Sequence, residues 1–237
     1  MARVTARQRG DSGPLPYWNA AAPGLHCLAR LSVSWPPGDT LNREKLMHTP
    51  RAILWDADGV LQRIPLDTWD LAVTVVSQIP GALTGAKVDE ATIRKLAHDA
   101  ELDDRVRDVL SVWWTFDLIH AALDIVARLR DQGIASYLAS NQDSYRAACM
   151  RERTPYGQVL DGAYYSCDLG VAKPSTAFFN HIAADLNIPH NELLFIDDQP
   201  ANVAGAQAAG LNAERWTHTD GIEQLLALLD AHAIRVA

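Results

Sequence analysis

Hydrophobic positions from residue 51 onward form short apolar runs that alternate with longer segments of helical spacing. The short runs predict buried strands, because strands inside a parallel sheet are apolar on both faces. They are residues 52–55, 134–139, 193–196 and 212–216. The segments with apolar residues every three or four positions predict helices: residues 118–132, 143–153, 175–186, 201–209 and 222–231. Strands that alternate with helices predict a doubly wound α/β fold with a parallel sheet.

One interval in this pattern is too long for a simple crossover. Two parallel strands need about a dozen residues between them, yet the first predicted strand ends near Trp55 and the second begins at Ile134. Residues 66–79 and 89–114 within the interval have helical spacing. We therefore expect an α/β core formed by residues 51–64 and 116–237, with residues 65–115 inserted as a small helical cap.

Residues 1–50 lack this periodicity. Prolines and glycines interrupt them, and basic residues outnumber acidic ones, which predicts an irregular N-terminal extension. A targeting arm, a partner-binding tail and a natural start at Met47 are the alternatives for this segment.

Composition and charge narrow the classes of partner. The chain has 21 lysines and arginines against 29 aspartates and glutamates, a formal net charge of −8. Proteins that bind a nucleic-acid backbone rely on basic residues, so we expect no nucleic-acid partner. No apolar stretch approaches the ~20 residues that span a bilayer, and no secretory signal is evident, so we expect no membrane partner. The sequence favours no particular oligomeric state.

The cysteines indicate the cellular compartment. Cys27, Cys149 and Cys167 are odd in number and irregularly spaced, which predicts neither a disulfide framework nor a zinc site. A reducing cytoplasm fits this pattern.

Polar residues follow three of the predicted strands. They are Asp56, Asp58 and Gly59 after the first strand, Ser140 and Asn141 after the second, and Asp197 and Asp198 after the third, while Lys173 precedes a predicted helix. Each motif alone is also typical of a turn, a helix cap or a solvated lysine. Ligands of open parallel sheets bind outside the carboxyl ends of the strands, so we expect these residues to share one site. Clustered carboxylates repel one another without a hard cation, and oxygen ligands suit Mg²⁺, which would in turn hold an anion such as phosphate.

The two aspartates after the first strand suit two different chemical tasks. The carboxylate of Asp56 can attack phosphorus and form an aspartyl-phosphate, which divides a difficult hydrolysis into two easier displacements. Asp58 can protonate the departing alkoxide and later take a proton from the attacking water. Gly59 lets the backbone turn away from the strand, so that both carboxylates can face one site.

The other polar residues suit a phosphoryl group. The Ser140 hydroxyl and the backbone or side-chain amide of Asn141 can donate hydrogen bonds to phosphoryl oxygens. Lys173 can offset negative charge on both the nucleophile and the phosphate.

The order of these motifs resembles that of the haloacid dehalogenase (HAD) superfamily. Members have a hydrophobic strand followed by DxDG, then a strand ending in Ser or Thr, a lysine before a helix, and a strand ending in an acidic pair. The corresponding residues are Asp56-x-Asp58-Gly59-Val60-Leu61, Ser140, Lys173 and Asp197-Asp198. The resemblance covers roughly residues 51–217 and implies a Rossmann-like HAD core with a small helical cap, similar to the phosphatase-type members.

The resemblance also implies a ligand set for magnesium. Asp198 is expected to be the direct ligand of the acidic pair, and Asp197 to be either a water-mediated ligand or a partner that orients Lys173. The carboxylate of Asp56 and the backbone carbonyl of Asp58 are the remaining expected ligands.

The acid at position 58 favours phosphate-ester chemistry, since the resemblance implies that dehalogenases and phosphonatases of the same superfamily lack an acid at this position. The sequence predicts a Mg²⁺-dependent hydrolase of small phosphate monoesters, acting on a small phosphorylated metabolite because its only cover is a small cap. The alternatives are a sugar-phosphate mutase of the same superfamily and a catalytically inactive module that binds a phosphorylated metabolite. Candidate substrate contacts from the cap region are Arg63, Trp69, Trp113, Trp114 and His120, although tryptophans at helical spacing are usually core residues.

Overall fold

A computed structural model of the chain describes residues 49–63 and 66–236. The strands are β1 (Ala52–Trp55), β2 (Gln62–Arg63), β3 (Asp117–Leu118), β4 (Ala135–Ser140), β5 (Gly162–Tyr165), β6 (Leu193–Asp197) and β7 (Asn212–Arg215). The main sheet is parallel and has the order β5-β4-β1-β6-β7, while β2 and β3 form a separate antiparallel pair. The doubly wound α/β fold predicted from the hydrophobic pattern is confirmed.

Helices cover both faces of the main sheet. They are α1 (Leu66–Val76), α2 (Glu90–Asp99), α3 (Val106–Trp114), α4 (His120–Asp131), α5 (Ser144–Arg153), α6 (Tyr156–Val159), α7 (Ser166–Leu169), α8 (Thr176–Leu186), α9 (Pro200–Ala208) and α10 (Ile222–Ala231). No helix within the described ranges is long and apolar enough to cross a membrane.

Strand β1 shows how the sheet is buried on both sides. Ala52 and Leu54 pack in one hydrophobic cluster with α8 and α9, whereas Ile53 and Trp55 pack in another with α4 and α10. Successive side chains of a strand point to opposite faces, and all four of these are fully buried. An apolar run of this kind is therefore what a central parallel strand requires.

The strand order places β1 where the chain reverses its direction across the sheet. From β1 the chain continues to β4 and β5 on one side, and later to β6 and β7 on the other. Trp55 lies opposite Leu138 of β4 and Ile196 of β6, so the residues that follow β1 have neighbours from both strands. Ligands of doubly wound folds bind at such a reversal point.

The segment between β2 and β3 has its own hydrophobic cluster. Buried side chains of α1, α2 and α3 form it, among them Val75, Ile93, Leu110 and Trp113. The separation of the chain into a core and a cap stays a prediction, and so does residue 65 as the start of the cap.

Helical spacing over residues 89–114 predicted helix throughout, but the structure divides this segment into α2 and α3. Glu101 has a φ of 57°, and a 3-10 turn at Asp103–Arg105 follows it. The spacing continues across the break because both helices bury one face in the same cluster.

Other boundaries differ by a few residues. The helix predicted from residue 118 begins at His120, because Asp117 and Leu118 pair with β2. Gly133, with φ of 83°, follows the end of α4 as predicted. The prediction for residues 1–50 lies outside the described residues, apart from residues 49 and 50.

Candidate active site

Asp56 and Lys173 form the centre of the candidate site. Asp56 is the first residue after β1, and Lys173 Nζ lies 2.8 Å from Asp56 Oδ1 and 2.6 Å from Asp197 Oδ2. The three side chains are buried, with Lys173 only 1% exposed. A buried lysine between two carboxylates offsets their mutual repulsion, which explains how the three groups share a desolvated site.

Asn141 fixes the main chain that carries Lys173. The Asn141 side-chain amide donates to Lys173 O, and its Oδ1 accepts from Lys173 N, each at 2.9 Å. We predicted that either amide of Asn141 would reach a phosphoryl group. The Asn141 side chain bonds the main chain of Lys173 in this structure, which leaves the backbone N–H of Asn141 as the predicted donor to the phosphoryl group.

Asp197 and Asp198, the acidic pair at the end of β6, lie in different environments. The carboxylate of Asp197 accepts hydrogen bonds from Lys173 Nζ, from Gln199 N at 2.8 Å and from Asn202 Nδ2 at 3.1 Å. Asp198 is half-buried and accepts one from Gln199 Nε2 at 2.7 Å. The ion pair with Lys173 favours the alternative in which Asp197 orients that lysine, and this role stays a prediction.

Oxygen atoms of Asp56, Asp197 and Asp198 lie within 4.8 Å of one another. Hard divalent cations prefer oxygen ligands of this kind. Since N–H donors occupy the Asp197 carboxylate, Asp56 and Asp198 are better placed to hold a cation directly.

Burial dominates the electrostatics of this cluster. Burial raises the pKa of Asp56 to about 7, against the lowering effect of Lys173 and with a further raising effect from Asp197. Burial, followed by the Asp197 charge, raises the pKa of Asp198. Burial alone would lower the pKa of Lys173, but Asp56 and Asp197 raise it above its usual value, so the lysine stays charged. Carboxyls in this state gain most from a nearby cation.

Gly59 allows the turn after β1 to approach Asp198. Its φ is 86°, and a Cβ on it would lie 2.9 Å from Asp198 Cγ. Its carbonyl accepts hydrogen bonds from His218 N at 2.9 Å and Thr217 Oγ at 3.1 Å. Position 59 therefore needs glycine for both its conformation and its close contact.

Asp58 has different hydrogen-bond partners from Asp56. Its Oδ1 accepts from Gln62 Nε2 at 2.7 Å and from Arg146 Nη2 at 2.8 Å, and its Oδ2 accepts from Gln142 Nε2 at 2.8 Å. Its charge still contributes to the raised pKa of Asp56. The two carboxylates are thus near each other but have separate partners.

Ser140 is connected to Asp58 through one glutamine. Gln142 Nε2 donates to Ser140 Oγ at 2.9 Å as well as to Asp58. Because the Ser140 oxygen accepts this bond, its O–H hydrogen is left for the predicted phosphoryl contact.

A family model described as haloacid dehalogenase-like hydrolase matches residues 50–210. The chain belongs to this HAD-like hydrolase family. The match covers the strands and loops that carry every motif residue described above.

Curated relatives of this HAD-like hydrolase include two phosphatases. A sesquiterpene phosphatase from Aspergillus oryzae is 30% identical over 87 residues, which are 37% of this chain and 44% of that protein. An enolase-phosphatase from Methylococcus capsulatus is 33% identical over 96 residues, which are 38% of this chain and 42% of that protein. The matched part of the chain thus spans less than half the length of these relatives.

Solved structures agree with the HAD-like fold. An HAD family enzyme from Bacteroides thetaiotaomicron, in complex with magnesium and inorganic phosphate, superposes with a TM-score of 0.61 at 20% identity, over 74% of this chain and 98% of that chain. An HAD-like family hydrolase from Porphyromonas gingivalis gives 0.60 at 24% identity, over 76% and 98%.

Sequence reasoning missed the side chains that hold Asp58 in this HAD-like hydrolase. These are Gln62, Gln142 and Arg146. The signal for Arg146 was its place on the apolar face of α5, beside Ala147 and one turn after Gln142. A charged residue on a buried face implies a charged partner, but the pattern does not say which one.

The five cap-region candidates have different surroundings. The Trp69 ring lies 5.4 Å from the Arg146 guanidinium. Trp113 Nε1 donates a hydrogen bond to Asp143 at 3.0 Å, and Trp114 Nε1 donates one to Tyr145 OH at 2.9 Å. Arg63 forms an ion pair with Asp117 at 3.0 Å, and His120 is exposed. The buried Trp113 has the core role that tryptophans at helical spacing usually have.

Proposed function

We propose that this HAD-like hydrolase is a Mg²⁺-dependent phosphatase that cleaves small phosphate monoesters through an aspartyl-phosphate on Asp56. The observation that carries the proposal is the contact of 2.8 Å between Lys173 Nζ and Asp56 Oδ1 inside the carboxylate cluster. A carboxylate that attacks an anionic ester needs positive charge beside it. Lys173 supplies that charge in a buried site.

The residues of the site fit a magnesium ion. The donor set consists only of oxygens, and burial, together with the charge of Asp197, raises the pKa values of Asp56 and Asp198, so a cation beside them would stabilise their ionised forms. Asp56 and Asp198 would hold the ion, together with the backbone carbonyl of Asp58. When bound, the ion offsets charge on the acids and on the phosphoryl group.

In the first half of the proposed reaction, an Asp56 oxygen attacks phosphorus. A new oxygen–phosphorus bond forms while the bond to the leaving alkoxide breaks, and Asp58 gives its proton to that alkoxide. In the second half, water attacks the same phosphorus and Asp58 takes a proton from it. The bond to Asp56 then breaks, which releases phosphate and restores the carboxylate.

In this proposal, three groups bind the phosphoryl oxygens during both halves. They are the Ser140 hydroxyl, the Asn141 backbone N–H and the Lys173 ammonium group. Ser140 and Lys173 are almost fully buried, and hydrogen bonds to a developing charge are stronger where water is excluded. The two curated relatives are named as phosphatases, which supports a phosphatase over the mutase that the motifs also allow.

The deciding experiment is the turnover of p-nitrophenyl phosphate by the purified chain. We expect turnover with Mg²⁺, loss of turnover with a chelator, and loss in Asp56→Asn. Asp124→Asn, an exposed acid on α4, is the matched control and should keep full activity. An Asp56→Asn variant with full activity would exclude Asp56 as the nucleophile. A hexose phosphate that yields an isomer and no free phosphate would favour a mutase.

A further inference from the structure

Arg146 is a buried charge that the proposed reaction does not use. It lies on α5 and is 3% exposed, and its Nη2 is 2.8 Å from Asp58 Oδ1. Removing a guanidinium from water is unfavourable unless charges and hydrogen bonds compensate it. The contacts of Arg146 therefore indicate what the side chain is there to hold.

Its main partner is the carboxylate assigned as the general acid. Nη2 of Arg146 contacts Asp58 Oδ1, and Nη1 lies 3.5 Å from Oδ2. Gln62 and Gln142 donate to the same two oxygens. Donors on both oxygens fix the rotation of the carboxylate in its ionised form, which is the form that takes a proton from water in the second half of the proposed reaction.

The two glutamines are themselves held in place. Tyr156 OH donates to Gln62 Oε1 at 2.9 Å, and Gln142 donates to Ser140 Oγ. The orientation of Asp58 is therefore set relative to Ser140, a predicted phosphate-binding residue.

The guanidinium of Arg146 is fixed on its other sides by three contacts. Its Nε donates to Val112 O on α3 at 3.3 Å, and it lies 5.4 Å from the ring centroids of Trp69 and Phe116. Cations favour the faces of aromatic rings. Arg146 thus has a single defined position between Asp58 and the helices that follow β2.

We propose that Arg146 is a positioning residue, which aims the Asp58 carboxylate at the leaving-group oxygen of the substrate. This inference rests on the proposed function and adds a residue outside the family motifs to its machinery. Arg146 acts through Asp58 and has no contact of its own with the phosphoryl-binding residues Asn141 and Lys173 among the described hydrogen bonds.

A positioning role makes a prediction that a purely structural role does not. Esters with poor leaving groups need the proton from Asp58, whereas esters with good leaving groups depart without it. Loss of Arg146 should therefore slow the first kind more than the second. Loss of folded protein would slow both equally.

The experiment measures kcat/KM, which reports the first half of the reaction, for two aryl esters of similar size, phenyl phosphate and p-nitrophenyl phosphate. We expect Arg146→Met to lower kcat/KM for phenyl phosphate about 10- to 100-fold more than for p-nitrophenyl phosphate, since general acids contribute roughly 10²- to 10⁴-fold. Arg146→Lys keeps the positive charge but loses the contact with both oxygens of Asp58. It should therefore recover part of the activity that Arg146→Met loses with phenyl phosphate. Inhibition by inorganic phosphate should not change.

Arg151→Met is the matched control. Arg151 lies on the same helix, pairs with Asp168, and stacks over the Tyr165 ring at 4.5 Å. Its loss removes an ion pair from α5 without touching Asp58, and the ratio of the two kcat/KM values should equal that of the wild type.

Both esters are measured with the same enzyme preparation, so the fraction of folded protein cancels in the ratio. A partly folded Arg146→Met variant therefore still gives a valid ratio, and Arg146→Lys gives a second, independent one. An unchanged ratio in both variants overturns the inference while the proposed function stands. In an Asp58→Asn background, Arg146→Met should change the ratio no further, because the residue to be positioned is gone. A further change in that background also overturns the inference. Absence of turnover in the wild type with Mg²⁺ overturns the proposed function and this inference with it.

Discussion

Because Gly59 has no side chain, the turn after β1 can pack against Asp198. Gly59→Ala would place a Cβ 2.9 Å from Asp198 Cγ at a φ of 86°. We expect Mg²⁺-dependent turnover to fall at least about 10-fold, and the free energy of unfolding to fall by about 1–3 kcal/mol from backbone strain. Turnover of p-nitrophenyl phosphate and urea unfolding measure the two effects.

The control for this variant is Gly133→Ala. Gly133 has nearly the same φ, 83°, but a Cβ there meets nothing within 4 Å. The control should therefore lose stability and keep activity. Equal activity in the two variants would show that displacement of Asp198 does not matter for the reaction.

Asp58→Asn tests the acid itself. The variant cannot give a proton, so kcat/KM for phenyl phosphate should fall about 10²-fold or more, with a smaller loss for p-nitrophenyl phosphate. It also leaves the buried Arg146 without its charged partner, which costs about 3–5 kcal/mol of stability. The ratio of the two kcat/KM values is independent of that instability. Equal losses for both esters would contradict the acid role.

The sequence placed some site residues and not others, for a physical reason. Asp56, Asp197 and Asp198 follow apolar strands, and parallel strands that share a sheet bring their carboxyl ends together. Arg146 lies on α5, and Gln142 lies in the loop just before its N-cap, so the positions of both depend on how α5 packs against neighbouring elements. That packing is a property of the tertiary structure, so the sequence alone did not reveal which residue Arg146 faces.

At the scale of elements, α5 joins the site to the helices after β2. Its N-cap residue Asp143 accepts hydrogen bonds from Tyr145 N and Arg146 N and from Trp113 Nε1 of α3. Ser144 Oγ accepts from Val88 N at 2.8 Å. The start of α5 therefore fixes both the cap-region helices and the side chain that holds Asp58.

Elements that the hydrophobic pattern missed are short or at an edge. Strand β5 has one buried residue, Tyr165, because it lies at the edge of the sheet. Strands β2 and β3 have two residues each, too few to show alternation. Strand β1, which is buried on both faces, and the ten-residue helix α10 were predicted with the bounds that the structure shows.

Helix α9 packs directly against the loop that carries Lys173. A Cβ on Gly205 would lie 2.1 Å from Pro174 O, so Gly205→Ala has to move the helix or the loop. We expect turnover to fall at least about 10-fold, since a displacement of about 1 Å can cost 10²-fold in rate. Thermal unfolding and p-nitrophenyl phosphate turnover measure the effect.

Gly157→Ala is the control for helix packing. Gly157 lies in α6, and a Cβ there meets nothing within 4 Å. Alanine is favoured over glycine in helices by about 0.5–1 kcal/mol, so this variant should be as active as the wild type and no less stable. An active and stable Gly205→Ala variant would contradict the close packing of α9 on the loop.

At the scale of the whole molecule, the fold class follows from the sequence but the strand order does not. Alternation of strands and helices implies a parallel sheet. The pairing of β1 with both β4 and β6 joins segments that are far apart in the chain, and hydrophobic pattern does not encode partners. The resemblance implied a Rossmann-like HAD core, whereas the order β5-β4-β1-β6-β7 comes from the structure.

The acidic cluster should make the stability of the metal-free protein depend on pH. Burial raises the pKa of Asp56 from 3.8 to about 7, so between these values the folded protein holds a proton that the unfolded chain has lost. The free energy of unfolding therefore falls as pH rises from about 4 to about 7. The raised pKa of Asp198 acts in the same direction.

Magnesium should reverse this trend, because it binds ionised carboxylates and competes with protons. A ligand at 100 times its dissociation constant stabilises the folded state by about 2.7 kcal/mol, which corresponds to a rise in Tm of roughly 5–10 °C for a chain of this size. We expect that rise at pH 8 and a much smaller one at pH 5, measured as the difference in Tm between Mg²⁺ and chelator. Asp198→Asn should lose most of the rise at pH 8, and Asp124→Asn should keep it. Equal rises at both pH values would mean that the ion does not bind at the buried acids.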